Sequence, residues 1–205
     1  MRILGAILGT ETNSKPRRRR DRNATLAAVL HSARVCFSDD SYDHVSLRRI
    51  AASANVDVAA VARAFGSKED LFRAAVVGLL HYPEMLAMAP KEKLADAMLD
   101  MMLGKGPEYD ITLSVIRSAN VSPAREMLRE GLEERFVAPL ANAINEDDAP
   151  LRAELLNAIT FGFGAMRDVV KTSELRSADV EQLRRLLRPV LVALIGGSGD
   201  SEEGG

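Results

Sequence analysis

The side chains that most often carry out covalent chemistry are few in this chain and poorly spaced for it. His31, His44 and His81 are scattered through different segments, and none has the spacing of a metal site or a catalytic triad. Cys36 is the single cysteine; it lies in an apolar stretch, with no obvious base and no partner for an intrachain disulfide. The sequence has no glycine-rich phosphate loop either. We therefore predict no catalytic residue, no metal and no cofactor, and a protein that is not an enzyme.

Basic residues offer the other available chemistry, which is the binding of phosphate groups. The net charge of −2 conceals an uneven distribution: residues 15–73 carry 12 Lys and Arg against 7 Asp and Glu, whereas residues 74–205 carry 14 against 21. A basic surface confined to one part of a protein attracts a polyphosphate and gains free energy from counterion release. The first third of the chain is therefore the part expected to meet a nucleic acid.

A run of basic residues opens this region. We expect residues 1–22 to form a flexible basic arm that tracks phosphates or reaches into the minor groove. Its contacts would come from four consecutive arginines, Arg17, Arg18, Arg19 and Arg20. A solvated tail is the alternative interpretation. The apolar stretch within residues 1–14 is too short to span a membrane, and we expect a cytoplasmic protein.

The elements that must position these residues are predicted to be helices. The chain of 205 residues is 47% hydrophobic but only 4% aromatic and has no Trp, and the abundance of Ala, Leu, Arg and Glu favours helices over strands. Apolar spacing predicts helices over residues 23–37 and 58–65. Ser46 is an N-cap candidate for a helix between these two, and Asp57 for the helix at 58–65. Asn55 suits the left-handed backbone that the turn between them needs.

The rest of the chain is expected to fold into longer helices. Their approximate bounds are residues 84–103, 108–119, 122–145, 150–172 and 178–195. Pro139 and Pro189 fall inside periodic stretches and should kink or locally interrupt them. Residues 198–205 are rich in glycine and are expected to form a disordered tail.

The stretch from Ser46 to Phe72 resembles the N-terminal domain of the TetR (tetracycline-repressor-like) family. It has a hydroxyl cap, an Ile-Ala pair, an Ala-x-Val turn, a Phe at the end of the third helix and a Ser-Lys-Glu start of the fourth. The resemblance implies an all-α fold of about nine helices, with a three-helix helix-turn-helix domain at residues 23–82 joined to a larger effector-binding and dimerisation bundle at residues 83–197. It also implies a sequence-specific regulator, a ligand-responsive repressor that binds a palindromic operator in double-stranded DNA as a homodimer.

The resemblance assigns the DNA-reading role to the helix at residues 58–64. Ala62 stands where the family often has an aromatic residue that touches phosphate, so Arg63 becomes the main polar reader, and Lys68 resembles the family's phosphate-contacting lysine. The other contacts predicted are Tyr42, Ser46, Arg48, Val58, Ala59 and Ala60, of which the last three can touch thymine methyl groups. The arginines at 48 and 49 can equally serve only to solvate an exposed face. A helical ligand-binding or adaptor protein that has lost specific DNA binding is the alternative function.

The second domain is expected to hold a small, largely apolar effector and to form the dimer. Thioethers suit an adaptable pocket, and the residues predicted to line it are Met85, Met88, Met98, Met101, Met102, Arg117, Phe161 and Met166; an ordinary core is the alternative for the methionines, and a salt bridge for Arg117. The resemblance places the dimer interface on the last two helices, at Leu155, Ile159, Phe163, Leu183, Leu187, Val190, Leu191 and Leu194. Gly162 and Gly164 fit close packing at an interface or a pocket wall.

Overall fold

Helices make up all the regular structure in the described part of the chain. The computed structural model describes residues 15–80, 86, 88–104 and 111–196, with side chains from Arg22 onward. The helices are α1 (Lys15–Asp39), α2 (Leu47–Ser53), α3 (Val58–Phe65), α4 (Lys68–Ala75), α5 (Lys91–Leu103), α6 (Ile111–Ser118), α7 (Ser122–Leu132), α8 (Ala138–Ile144), α9 (Ala149–Gly164), α10 (Ser173–Ser177) and α11 (Val180–Ile195). Short 3-10 turns lie at Tyr42–His44 and Val77–Leu79, a π-helical turn at Glu133–Val137 joins α7 to α8, and a second at Ala165–Val170 extends α9. The predicted all-α class is confirmed.

The first helix corrects the prediction of a flexible basic arm. Helix α1 begins at Lys15 rather than Asn23, so residues 15–22 belong to the helix. Lys and Arg are good helix formers, and the first turn tolerates Pro16 because its missing N–H would have no partner there. The start of the predicted arm, residues 1–14, and the predicted tail at 198–205 lie outside the described residues.

The capping signals in the first third of the chain are confirmed. Ser46 Oγ accepts a hydrogen bond from the N–H of Arg49 at the start of α2 (3.2 Å), and Asp57 caps α3 through the N–H of Ala59 (2.6 Å). Asn55 has φ 52°, the left-handed conformation expected of it. Because α2 and α3 have defined ends on both sides of this turn, their crossing is set by the local sequence.

Helices α1 to α4 enclose the first of two apolar cores. Three aromatic rings lie at its centre: Phe72 contacts Phe37 edge-on at 4.9 Å between ring centroids and Tyr42 at 5.1 Å. Cys36 is buried beside them, and burial raises the pKa of its thiol. The core does not end with α4, because Ala124, Met127 and Leu128 of α7 are part of it.

Further contacts fasten the first four helices to the rest of the protein. Arg117 on α6 donates a hydrogen bond to the backbone carbonyl of Asp39 at the end of α1 (2.5 Å). Arg73 on α4 forms an ion pair with Glu130 on α7 (3.1 Å). Helix α6 also packs along α1, so α6 and α7 connect the two halves of the chain.

The second core is formed mainly by α5, α8, α9 and α11. Ion pairs between α11 and α5 close its edge: Arg184 with Asp100 (2.6 Å) and Arg188 with Asp96 (2.9 Å). In the described residues, α5 begins at Lys91 and not near residue 84, because Pro90 is extended (ψ 150°) and forms the N-cap.

The two internal prolines behave differently. A π-helical turn at Glu133–Val137 comes just before α8, whose second residue is Pro139, so the regular α-helical pattern is locally interrupted there, as predicted. Helix α11 in contrast runs through Pro189 without interruption; the missing N–H costs it only one backbone hydrogen bond. None of the helices in the described segments combines the length and the apolar character that crossing a membrane requires.

Candidate functional site

Helix α3 presents most of its surface to solvent. Of its eight residues only Val61 is fully buried, and this side chain anchors the helix to the first core. Val58 is 41% exposed, Ala59 and Arg63 are exposed, and Ala60 is half-buried. A short helix with small side chains on its outer face can approach a major groove closely. Arg63 is the only charged side chain of this helix, and it lies on the exposed side.

A cleft beside α3 places a second guanidinium near Arg63. Its volume is about 340 Å³, and its lining residues are Arg22, Thr25, Leu26, Ala60, Arg63 and Ala64. Arg22 comes from α1, whose first two turns carry the arginine run. Arg22 and Arg63 therefore form one basic surface between α1 and α3, which suits a phosphate backbone. The side chains of Arg17, Arg18, Arg19 and Arg20 lie outside the described residues.

The two neighbouring arginines at the start of α2 have different environments. Arg49 forms an ion pair with Asp40 (2.8 Å), and this hydrogen bond is the main reason that the pKa of Asp40 is lowered to about 2. Arg48 is exposed and has no ion pair among the described residues. Of the two, Arg48 is available for a phosphate, and Arg49 holds the loop after α1.

Tyr42 is in the core, which corrects its prediction as a DNA contact. Its ring is only 2% exposed, and its hydroxyl donates a hydrogen bond to Glu69 Oε1 (2.8 Å). Burial is the first cause that raises the pKa of Tyr42, and the hydrogen bond to Glu69 is the second. The sequence did not reveal this role because Glu69 and Phe72 reach Tyr42 only through the tertiary fold.

Lys68 lies over this tyrosine instead of extending freely from α4. Its Nζ is 4.2 Å from the centroid of the Tyr42 ring and donates a hydrogen bond to the Tyr42 backbone carbonyl (3.1 Å). Lys68 is half-buried, and the remaining N–H groups of its ammonium can still face a phosphate. Lys68 therefore combines a structural contact with a position at the start of α4.

A cavity of about 420 Å³ lies between α6, α7 and α9. Its lining residues are Val115, Arg129, Leu132, Glu133, Val137, Glu154, Asn157, Ala158 and Phe161. This volume is within the range of small-molecule sites, and apolar side chains form most of the wall. Val115 also packs against the first core, so the cavity shares a wall with the half of the protein that α1 to α4 form.

Most of the residues predicted to bind an effector lie away from this cavity. Of the residues predicted to bind the effector, Phe161 lines this cavity. Met98 and Met102 are buried in the second core and Met101 packs against it, as in the alternative interpretation. Arg117 makes its contact with α1, Met88 is 84% exposed, Met166 is 44% exposed, and Met85 lies outside the described residues.

Large apolar side chains are exposed on α9, on the π-helical turn that extends it and on α11, and these residues are called here the exposed apolar face. Its members with large exposed side chains are Leu151, Leu155, Met166, Val170, Val180, Leu186 and Val190. Leu155 and Val190 belong to the predicted dimer interface, and Ile159, Leu187 and Leu194 are half-buried. Phe163, Leu183 and Leu191 are buried in the second core, which corrects their prediction as interface residues. An added Cβ at Gly162 would meet no atom within 4 Å, whereas at Gly164 it would lie 3.3 Å from Thr112.

Two family models match the chain. The model of the tetracyclin repressor-like C-terminal domain matches residues 92–195, and the model of bacterial regulatory proteins of the tetR family matches residues 29–75. The second match includes α2, α3 and α4, and therefore the exposed helix α3 with its caps. No curated protein matches the chain.

Solved structures share the fold over nearly their whole length. A TetR-family regulator from Streptomyces coelicolor A3 is 27% identical, with 92% of this chain and 99% of that chain covered and a TM-score of 0.55. NalD, described as the secondary repressor of the MexAB-OprM multidrug efflux pump in Pseudomonas aeruginosa, is 20% identical over 83% and 96%, with a TM-score of 0.63. GusR of Salmonella enterica is 20% identical over 84% and 96%, with a TM-score of 0.65.

Proposed function

Because the chain belongs to the TetR family of DNA-binding transcriptional regulators, we propose that it binds a palindromic operator as a homodimer and responds to a small-molecule effector. In this proposal it acts as a repressor in the cytoplasm. The observation that carries the DNA-reading role is the exposed outer face of α3, which has Arg63 at its edge and a single buried anchor, Val61. Arg48, Ser46 and Lys68 flank this helix and are proposed to hold the phosphate backbone.

The exposed face of α9 and α11 supports the homodimer. Large apolar side chains that are exposed on both helices suit burial against a second copy of the chain. An isologous dimer repeats its DNA-reading helix about a two-fold axis, and the operator should then have the same symmetry. The second copy of the chain is the partner proposed for this face.

The contacts of α6 support an effector response. Val115 lines the cavity, and two residues later Arg117 holds the carbonyl of Asp39 at the end of α1. A ligand in the cavity that prefers one position of α6 would therefore also favour one position of α1 and of the DNA-reading helices. The size of the response equals the difference in the free energy of ligand binding between the two arrangements.

The test is selection of bound sites from random double-stranded DNA, followed by a salt titration of the selected site against a scrambled duplex. We expect a palindrome whose affinity falls steeply with salt concentration. Arg63→Ala should weaken binding to it by about 1–3 kcal/mol, the usual value of a base contact. Arg176→Ala is the matched control: this exposed arginine on α10 is distant in sequence from the helices that read DNA, and its loss should leave affinity unchanged.

Two results would contradict the proposal. Absence of any enriched sequence, or equal affinity for every duplex, would remove sequence-specific regulation. An effect of Arg63→Ala no larger than that of Arg176→Ala would leave α3 without the proposed role. The helical adaptor or ligand-binding protein would then be the function to test, because an adaptor is indifferent to the loss of Arg63.

A further inference from the structure

The cavity between α6, α7 and α9 carries a negative charge that its own residues do not neutralise. Its three charged lining residues are Arg129, Glu133 and Glu154. Arg129 binds Glu133 through Nη1, at 2.7 and 2.9 Å from the two carboxylate oxygens, and it also forms an ion pair with Glu126. These two carboxylates raise the pKa of the Arg129 guanidinium, whose charge is therefore fully compensated within α7 and the turn after it.

Glu154 has no such partner. Within the described part of the chain, its carboxylate and the side-chain amide of Asn157 form neither an ion pair nor a hydrogen bond, although both line the cavity. Glu154, Asn157, Ala158 and Phe161 follow one another at helical spacing on α9, so they share one face of that helix. A carboxylate, an amide and an aromatic ring thus lie along one wall, and apolar side chains form much of the rest.

We propose that the effector is an organic monocation with an apolar, ring-containing body. This inference rests on the proposed function, since it takes the cavity as the effector site. The ammonium group of the ligand would bind Glu154, with Asn157 as a second acceptor, and the body would lie against Phe161 and the aliphatic wall. Phe161 adds attraction because the face of an aromatic ring is negative. An anionic ligand would instead meet Glu154 directly and would have to compete with two carboxylates for Arg129.

Three naphthalene derivatives with one ring system test the charge preference: naphthylethylamine, naphthylethanol and naphthylacetate. Their affinities for the DNA-free, full-length protein are measured by isothermal titration calorimetry at low salt. We expect the amine to bind more tightly than the alcohol, and the alcohol more tightly than the acid. Glu154→Gln keeps the shape of the side chain and should weaken binding of the amine about fivefold, a modest effect because the site is partly open to solvent.

Glu92→Gln is the matched control, because Glu92 is an exposed carboxylate on α5 that does not line the cavity. It should leave all three affinities unchanged, and circular dichroism should show that both variants are folded. Tighter binding of the acid, or an amine affinity that Glu154→Gln does not change, would overturn the proposal. So would the failure of all three probes to bind. Since operator selection uses no ligand, an enriched palindrome would in that case leave the regulator standing and remove only the cationic effector.

Discussion

Asp40 illustrates how a single side chain orders the loop between α1 and α2. Its carboxylate accepts hydrogen bonds from Arg49 (2.8 Å) and from the backbone N–H of Ser41 (2.9 Å), and it contacts His44 Nδ1 at 3.1 Å. All three favour the ionised form, and they lower the pKa of Asp40 from its ordinary 3.8 to about 2. The conformation of this loop therefore depends on the charge of Asp40.

This lowered pKa predicts a pH dependence. The ionised carboxylate stabilises the folded state above the ordinary pKa of 3.8, and this contribution is lost as the pH falls towards the folded-state pKa of about 2. Asp40→Asn should therefore be less stable than the wild type at neutral pH, and the difference should shrink as the pH falls through this window. Urea unfolding at a series of pH values measures it. A difference that stays constant across the series would show that the charge of Asp40 has no part in it.

Replacing Ser118 is predicted to stabilise the protein, in contrast to Asp40→Asn. It is fully buried at the end of α6, and its Oγ has no hydrogen-bond partner among the described residues. Burying an unsatisfied hydroxyl costs about 1–3 kcal/mol, so Ser118→Ala should raise the free energy of unfolding by about 1 kcal/mol. Ser114→Ala is the control, because Ser114 is equally buried but has an interaction partner. Its replacement should destabilise the protein in the same urea experiment. A destabilised Ser118→Ala variant would show that the hydroxyl has a partner.

Predictions at the residue level succeeded where the cause is local. Ser46, Asp57 and Asn55 act on backbone groups within three positions, so the sequence contains all the information about them. Tyr42 was misassigned because much of its environment comes from residues distant in sequence, such as Lys68, 26 positions away, and Glu69, 27 positions away. Glu154 was not identified either: an exposed glutamate on a helix is ordinary in sequence, and only the fold places it in a cavity.

At the level of elements, α7 lies very close to the turn after α4. A Cβ added at Gly131 would lie 2.1 Å from Cγ1 of Val77. Gly131→Ala should therefore separate α7 from this turn and lower the free energy of unfolding by about 1–3 kcal/mol, the usual cost of overpacking. Chemical denaturation measures the loss. Combining Gly131→Ala with Val77→Ala removes the clash. The double variant should therefore lose less free energy of unfolding than the two single variants lose together. If the two losses of unfolding free energy simply add, the alanine at position 131 does not clash with Val77.

The faces of α9 and α11 show where pattern alone was insufficient. Helix α9 has apolar residues around most of its circumference and α11 has a broad apolar stripe, so periodicity gave their positions but not which apolar residues face inward. Phe163, Leu183 and Leu191 were taken for interface and are core, whereas Leu151 and Leu186 were missed and are exposed. The start of α1 was set too late for a related reason, since a run of arginines has no apolar period to mark it as helical.

At the scale of the whole molecule, charge and apolar surface are separated along the chain. The basic residues concentrate around α1 to α4, and the exposed apolar face lies on α9 and α11. In the proposed dimer, one half therefore approaches a polyanion while the other half contacts the second subunit. Two copies joined in this way would carry two basic DNA-reading surfaces, as a palindromic operator requires.

Leu186 offers the sharpest test of that arrangement. It is 62% exposed on α11, so Leu186→Glu should leave the protomer folded. In an isologous interface the substitution occurs twice, and each copy would bury a charge without a partner. We expect the dimer dissociation constant to rise about a hundredfold, as for loss of a central interface residue. Sedimentation velocity over a concentration series measures this change.

Met88→Glu is the matched control, because Met88 is 84% exposed and lies outside α9 and α11. It should sediment as the wild type does, while Leu186→Glu sediments as a monomer with an unchanged circular dichroism spectrum. The monomer should also bind the full operator far more weakly, because the two half-sites of the operator are then occupied independently. A Leu186→Glu variant that remains dimeric would exclude the α9 and α11 face as the interface. A monomer that keeps full operator affinity would separate DNA binding from dimerisation altogether.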